Sequence, residues 1–269
     1  MSKEIIIAYL SSVYVSEKCI KKFVKNYKKF KPGHKHKLVI CFKQLDTDKI
    51  QRRLKILKGI KHEIFIDSKN INDYDFGTLQ RVCLKFKNKF IFWLNDHSYP
   101  VKNNWLKIFS NYMNKKNILA SSASYSSHYS NSFTRQKNQS IINFVIKIIY
   151  AFFNFPKFPN PHFRTTNFLI YSNYFYDYII TKKIISKIHA HKIESGYQSL
   201  TNYFIKKNFD ILVVNSSGKS FAINDFHKSE TFAYNKFSKC LLSDKQTRNF
   251  SKLNTSEKKK RRKQIWGIK

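Results

Sequence analysis

The sequence is short of acidic residues: 16 Asp and Glu stand against 51 Lys and Arg, which gives a formal charge of +35. This excess indicates a polyanionic neighbour such as nucleic acid, anionic lipid or a phosphorylated substrate. A lysine-rich composition spread over solvated faces explains the same excess without any partner. The basic residues lie along the whole chain, and only residues 258–263 form a continuous basic run. Charge therefore does not choose among these interpretations.

Glycine, proline and cysteine are also scarce. The 6 Gly and 5 Pro exclude collagen-like and low-complexity architectures, and 42% hydrophobic residues suffice for a sizeable core. The four cysteines show no CxxC or Cys/His spacing, so we expect reduced thiols and no cysteine metal site. The first residues lack the pattern of a secretory signal, and we therefore expect a cytoplasmic protein.

Several motifs and one kind of segment are missing. The sequence contains no GxGxxG and no GxxxxGK[ST], which disfavours dinucleotide oxidoreductases and P-loop NTPases, and it contains no GxSxG or HExxH. The longest apolar run, 141–155, is interrupted by Lys147. It is shorter than the roughly 20 apolar residues that a bilayer span needs. We expect this run to be a buried or interfacial segment.

Apolar, β-branched runs alternate with amphipathic stretches through most of the chain. The predicted strands are 4–15, 37–42, 62–67, 89–95, 118–124, 167–172 and 209–217. This order predicts an α/β fold, a mainly parallel sheet flanked by helices on both faces, with ligands at the carboxyl ends of the strands. The polar, Ser-rich stretch 121–140 is predicted to be a long loop or lid. We predict one domain over 1–250 and a basic C-terminal tail over 251–269.

Polar residues end the strand 89–95. Asp96 and His97 follow Asn95 directly, and at a strand end they can contribute ligands to a divalent cation. The alternative is an Asx turn, in which Asn95 and Asp96 cap a helix over 101–114. One acid is a weak metal site, so these residues alone favour the turn.

A second acid, Glu194, precedes a candidate helix start. Ser195 and Gln198 have the S-x-x-Q spacing of a capping box, which predicts that a helix begins there. The positive end of that helix would favour an ionised Glu194, and an ionised carboxylate can accept a proton from a hydroxyl. The alternative is a charge that only stabilises the helix end.

Prolines stiffen the segment 159–166. His162 and Arg164 alternate onto one face of this extended stretch, and an Arg beside a His is suited to clamping a phosphate. The alternative is an ordinary pair between Arg164 and a carboxylate.

Five segments, taken in order, resemble bacterial glycosyltransferases of family 2 with the GT-A fold, a group linked to surface polysaccharide synthesis. The segments are 23–43, 90–106, 158–170, 192–219 and 241–250. The resemblance implies a GT-A-like, Rossmann-like α/β fold with a nucleotide-sugar donor at the strand ends. It also implies transfer of a sugar to a hydroxyl of a glycan or lipid-linked acceptor.

The resemblance also implies roles for individual residues. Glu194 falls where inverting members carry their catalytic base. The donor and its diphosphate would be contacted by Asp75, Asn95, His162, Arg164, Thr165, Asp244 and Arg248. Where the family usually carries an Asp-x-Asp metal motif, this chain has Asn95-Asp96-His97. Either Asp96 and His97 bind Mg²⁺ or Mn²⁺, or Arg164 and His162 neutralise the diphosphate without a metal.

Two other functions stay open. A degenerate transferase would bind sugars or partners without turnover, and the missing Asp-x-Asp is compatible with that. A nucleic-acid-binding protein would use the +35 charge, but the chain lacks any recognisable nucleic-acid module. The basic surface, the apolar run 141–155 and the basic tail suit peripheral contact with an anionic membrane, which predicts a position at the inner face of the plasma membrane.

Overall fold

The computed structural model describes residues 4–67, 69, 71–133, 140–234 and 238–267. The strands are β1 (Ile5–Ser12), β2 (Lys37–Lys43), β3 (Glu63–Asp67), β4 (Phe90–Leu94), β5 (Tyr99–Pro100), β6 (Asn117–Ala120), β7 (Ala123–Ser124), β8 (His162–Phe163), β9 (Asn167–Tyr171), β10 (Asp210–Val214), β11 (Ser220–Phe221) and β12 (Leu242–Ser243). The helices are α1 (Glu17–Lys29), α2 (Thr47–Ile56), α3 (Tyr74–Lys85), α4 (Trp105–Ser110), α5 (His128–Ser132), α6 (Ile141–Asn154), α7 (Ser172–Ile179), α8 (Lys187–Ser195), α9 (Leu200–Lys206), α10 (Lys245–Lys252) and α11 (Thr255–Trp266).

Eight of the described strands form one sheet, in the order β11-β10-β6-β9-β4-β1-β2-β3. The β1–β2, β1–β4, β2–β3 and β6–β10 pairs are parallel, which confirms the predicted mainly parallel α/β sheet. The strand predicted at 167–172 is present as β9 but runs antiparallel between β4 and β6. Its first residue therefore lies at the edge where β4 ends, because Asn167 pairs with Leu94.

The alternation of side chains along β1 builds an apolar layer on each face of the sheet. Ile5, Ile7 and Tyr9 face the core that contains α1 and α4, whereas Ile6, Ala8 and Leu10 face the core that contains α3, α7 and α8. Helices therefore cover both faces of the sheet, as the apolar pattern predicts.

Three predicted elements differ in extent. The helix predicted over 101–114 is the short α4, which begins only after Asn104, a residue in the left-handed conformation. The strand predicted over 118–124 is divided into β6 in the main sheet and β7, which pairs with β8. The stretch predicted as a loop, 121–140, contains β7 and α5, and residues 134–139 of it lie outside the described residues.

Residues 251–269, predicted as a basic tail, contain the helix α11, which packs on the body of the protein. Asn254 and Glu257 form a capping box at its start. At its end Ile265 and Trp266 are buried in the core, and Trp266 Nε1 donates to the Phe232 carbonyl at 2.9 Å. The boundary at residue 250 stays a prediction, but the apolar end of this segment belongs to the core.

Candidate active site

Three carboxyl groups distant in sequence meet at the carboxyl edge of the sheet. Asp96 follows β4, Asp75 lies in the first turn of α3, and Glu194 lies in the last turn of α8. They are close enough that the charges of Asp96 and Glu194 both act on Asp75. Among the described residues, no lysine or arginine forms an ion pair with any of the three.

Asp96 is held in place by the end of β1. Ser12 Oγ donates to Asp96 Oδ2 at 2.6 Å, and Tyr9 Oη donates to the Asp96 carbonyl at 3.0 Å. Burial raises the pKa of the Asp96 carboxyl, and the hydrogen bond from Ser12 opposes only part of that shift. The carboxyl is thus fixed in position and poorly neutralised by the protein.

Asp75 has the most perturbed carboxyl of the group. Burial, together with the negative charges of Asp96 and Glu194, raises its pKa to about 7, although Lys43 pulls in the opposite direction. No described residue donates a hydrogen bond to this carboxyl. Near neutral pH the Asp75 carboxyl is therefore partly protonated, and a cation bound beside it would lower its pKa.

Glu194 lies at the end of a helix, whereas the sequence predicted that it precedes the start of one. The helix α8 ends at Ser195, and Ser199, not Ser195, caps the next helix by accepting from the Asn202 amide at 3.3 Å. Glu194 consequently lies at a helix C-terminus, so the predicted help from a helix dipole is wrong. Thr165 Oγ1 instead donates to Glu194 Oε1 at 2.5 Å, which fixes the direction of the carboxylate.

The turn after β4 contains the Asx turn predicted for Asn95, but not the predicted helix cap. Asn95 Oδ1 accepts from the His97 amide at 3.2 Å and from Ser98 Oγ at 2.6 Å, which is an Asx turn. The turn does not cap α4, because that helix begins after Asn104. Because this oxygen already accepts two hydrogen bonds, a contact between Asn95 and a nucleotide sugar would have to come from its amide nitrogen.

Asp96 and His97 were the predicted metal ligands. His97 Nε2 lies 3.9 Å from Asp96 Oδ1, while His97 Nδ1 lies 3.5 Å from Cys19 Sγ. Burial lowers the pKa of His97, so its imidazole is neutral at pH 7 and able to ligate. Within the part of the chain that the structure describes, no three His, Cys, Asp or Glu side chains form a metal site. The two-ligand set fits a cation held jointly with a diphosphate, and it does not fit a cation held by protein alone.

Arg164 is engaged, so it is not a free phosphate clamp. Its guanidinium donates to both oxygens of Asp244, at 2.6 and 3.2 Å, and stacks on the Phe232 ring at 3.9 Å. Burial would raise the pKa of Asp244, but Arg164 and the Thr247 amide hold it below its usual range. The structure thus realises the alternative of an Arg paired with a carboxylate, and the predicted contacts of Arg164 and Asp244 with a nucleotide-sugar donor stay predictions.

His162 is buried beside Glu194 and is electrically neutral. Its Nδ1 donates to the Asn160 carbonyl at 2.7 Å, and burial lowers its pKa. His128 and His191 stack nearby with ring centroids 4.5 Å apart, and burial lowers the pKa of His128 to about 4. A neutral imidazole can donate a hydrogen bond to a diphosphate but does not offset its charge, and the predicted neutralisation by His162 stays a prediction.

Arg248 connects the chain after β12 to the turn after β4. Its guanidinium donates to the His97 carbonyl at 3.0 Å and to Ser243 Oγ at 3.1 Å, and it lies 4.8 Å from the Tyr99 ring centroid. The pairing of β12 with β5 fixes the same turn from the other side. Arg248 therefore positions the His97 turn, whereas its predicted contact with a donor stays a prediction.

Sequence reasoning missed a buried ionic network behind Asp75. Lys43, only 1% exposed, pairs with Asp73 and also donates to the Tyr74 carbonyl at 2.6 Å. Arg81 donates to Asp67 at 2.5 and 2.7 Å and to Asp73 at 2.6 Å. The network ties the ends of β2 and β3 to the start of α3, and so fixes the turn that carries Asp75. The available signal was a lysine as the last residue of the buried strand β2 and an aspartate as the buried last residue of the edge strand β3.

No family model and no curated protein matches the chain. Solved structures found by comparison include the galactosyltransferase LgtC with donor and acceptor sugar analogues, at 10% identity, 78% coverage of this chain, 73% of that one and a TM-score of 0.42. Another is the mannosyltransferase PcManGT from Pyrobaculum calidifontis with GDP-Man and Mn²⁺, at 8% identity, 43% coverage of this chain, 34% of that one and a TM-score of 0.34. A third is S. aureus TarS 1-349 with UDP-GlcNAc, at 13% identity, 44% coverage of this chain, 33% of that one and a TM-score of 0.34. This chain spans 21% to 34% of the length of TarS and PcManGT.

Proposed function

We propose that this chain is a glycosyltransferase, which moves a sugar from a nucleotide-sugar donor to a hydroxyl of a glycan or lipid-linked acceptor. The observation that carries the proposal is the meeting of Asp75, Asp96 and Glu194 at the carboxyl edge of the sheet, where none of the described lysines and arginines forms an ion pair with them. Open α/β sheets bind ligands at this edge. A catalytic base and a cation-assisted diphosphate site both need carboxylates that the protein itself does not neutralise.

Glu194 is the proposed base. Its carboxylate, oriented by Thr165, takes the proton of the acceptor hydroxyl while that oxygen bonds to the anomeric carbon of the donor. The bond from the anomeric carbon to the diphosphate oxygen breaks, and the nucleoside diphosphate leaves with the bonding electron pair. Attack opposite the leaving group inverts the anomeric centre, so inversion is part of the proposal.

Asp96 and His97 are the proposed contacts for Mg²⁺ or Mn²⁺ at the diphosphate. A bound divalent cation would supply positive charge that stabilises the departing diphosphate. Asp75 borders the same position, where burial and neighbouring negative charge raise the pKa of its carboxyl. A cation bound there would lower that pKa, so the Asp75 carboxyl would lose its proton. We also propose that the reaction serves surface polysaccharide synthesis and takes place in the cytoplasm at the inner face of the plasma membrane. The basic composition supports that location.

Thermal unfolding with UDP, GDP, UDP-GlcNAc and GDP-mannose tests the proposal, each ligand being added with Mg²⁺, with Mn²⁺ and with EDTA. A ligand at about 100 times its Kd stabilises the folded state by about 2.7 kcal/mol, which raises Tm by about 5–10 °C. We expect one nucleotide sugar to produce such a shift and EDTA to reduce it. Asp96→Asn should lose the part that depends on the cation. Stabilisation by RNA and by none of the nucleotides would overturn the proposal.

A further inference from the structure

The helix α6 exposes an apolar face that the described protein does not cover. The side chains on this face are Ile141, Ile142, Val145, Ile146, Ile149, Phe152 and Phe153, which are 46% to 72% exposed. At 3.6 residues per turn they fall within an arc of about 140°. Lys147 lies off this arc, and of the helix only Ala151 is buried.

A cationic cavity of 340 Å³ opens at the C-terminal end of this face. Phe153 of α6 lines it together with Lys182, Lys183 and Lys192, and none of its described lining residues is acidic. Lys182 lies over the Tyr178 ring at 5.2 Å from the centroid and donates to Gln198 Oε1 at 3.1 Å. Burial and the charge of Lys192 both lower the pKa of Lys182, as expected where the described residues that line a cavity include lysines and no acid.

We propose that the α6 face and the adjoining lysine cavity bind a bilayer of anionic lipids, the helix lying in the plane of the interface and the cavity accepting a lipid phosphate. An amphipathic helix whose apolar arc borders lysines has the chemistry that such a surface recognises. A chain of formal charge +35 opposes its own self-association, so a second copy is a poor occupant of this face. No helix among the described residues is long and apolar enough to cross a membrane.

The membrane surface proposed here adjoins the proposed active site. Lys192 and Ile193, which line the cavity, immediately precede Glu194, and the Tyr197 amide donates to the Asn154 carbonyl at the end of α6. Gly196 lets these segments meet, since a Cβ there would lie only 3.0 Å from the Asn154 carbonyl oxygen of α6. A bilayer on α6 would thus present lipid-linked acceptors near Glu194, a consequence that rests on the proposed function, whereas lipid binding itself does not.

Co-sedimentation of the full chain with vesicles tests the proposal. We expect binding to phosphatidylcholine vesicles that contain one quarter phosphatidylglycerol, and at least tenfold weaker binding to pure phosphatidylcholine. The triple variant Ile142→Glu, Ile146→Glu, Ile149→Glu should bind the anionic vesicles at least tenfold more weakly. Leu84→Glu, at an exposed apolar position of α3, is its control and should bind as the parent does. Equal binding by the α6 variant and the parent would overturn the proposal.

The lysines require their own matched control. Replacing Lys182, Lys183 and Lys192 by Gln should weaken binding more than replacing the exposed Lys55, Lys58 and Lys61 of the α2 region, although the net charge falls equally. Equal losses would overturn the cavity as a phosphate site.

An Ile146→Trp variant should show blue-shifted emission, quenched by brominated lipid, on vesicle binding. A dimer that the α6 variant abolishes, without vesicle binding by the parent, would overturn the proposal in favour of a second copy. None of these assays uses a sugar donor, so they fail or succeed separately from the proposed transfer.

Discussion

Two clusters of ionisable groups lie side by side at the carboxyl edge of the sheet, and they differ in balance. In the network of Lys43, Asp67, Asp73 and Arg81, two cations meet two carboxylates through hydrogen bonds of ordinary length or shorter. In the neighbouring carboxyl group of Asp75, Asp96 and Glu194, no described lysine or arginine forms an ion pair with any member. In a chain with 51 basic residues such a shortage is a local feature of the fold. The balanced cluster ties β2, β3 and α3 together, and the unbalanced one is the cluster that we propose binds a ligand.

Breaking the balanced network should lower the free energy of unfolding more than breaking an exposed ion pair does. Arg81→Gln leaves the buried Asp67 without its two hydrogen bonds from the guanidinium. Removing one partner of a buried pair costs about 3–5 kcal/mol of unfolding free energy. Urea unfolding measures this, with Arg52→Gln as the control, because its exposed pair with Glu17 contributes at most about 1 kcal/mol. Similar losses for the two variants would contradict the structural role of the network.

Removing a charge from the unbalanced cluster should have the opposite sign. The folded state holds the Asp75 proton up to about pH 7, whereas an ordinary Asp releases it near pH 3.8, so stability falls as pH rises between these values. Asp75→Asn should therefore be more stable than the parent at pH 8, by about 1–3 kcal/mol after solvent screening. The difference should vanish by pH 4. Urea unfolding at pH 4, 6 and 8 checks this, with Asp177→Asn, an exposed carboxyl of α7, as the control.

A destabilised Asp75→Asn variant at pH 8 would show that the protein compensates this carboxyl after all. The two clusters would then not differ in kind, and the argument that the second one awaits a ligand would fail.

The smallest expected effect concerns orientation. Thr165→Val removes the hydrogen bond to Glu194 Oε1 and keeps the shape of the side chain. We expect turnover to fall about tenfold, equivalent to about 1.4 kcal/mol, with an unchanged KM for the donor. Thr165→Ser should restore most of the turnover, since it keeps the hydroxyl. A merely structural role would instead lower the stability of the valine variant and leave turnover per folded molecule unchanged.

The sheet could be predicted from sequence because buried strands are continuous apolar runs, as in Phe90–Leu94. The antiparallel direction of β9 could not, because period and composition are the same for both directions. The direction matters, since it brings Thr165 and Thr166 to the carboxyl edge, where Thr166 Oγ1 donates to Asp244 at 3.2 Å.

The site was predicted in part. Asp96 and Glu194 were identified as acids beside a strand end and a candidate helix start, Asp75 was implied by the family resemblance, and the structure brings the three together. The helix end at Glu194 was misassigned because Ser195 and Ser199 are both followed three residues later by an amide side chain, and only the second caps a helix. The pairing of Arg164 with Asp244 spans 80 residues of sequence. No local pattern records such a contact, so spacing alone could not distinguish a phosphate clamp from a structural pair.

The most direct test of the central claim is turnover by Glu194→Gln with the nucleotide sugar that stabilises the parent protein. The variant keeps the size of the side chain and the acceptor oxygen for Thr165 but cannot take a proton. We predict that turnover falls by about 10²–10⁴ while the thermal shift produced by the donor is unchanged. Glu63→Gln, on the exposed edge strand β3, should retain full turnover. Turnover at the parent level in Glu194→Gln would contradict the account, because the unbalanced carboxyl cluster would then not contain the base.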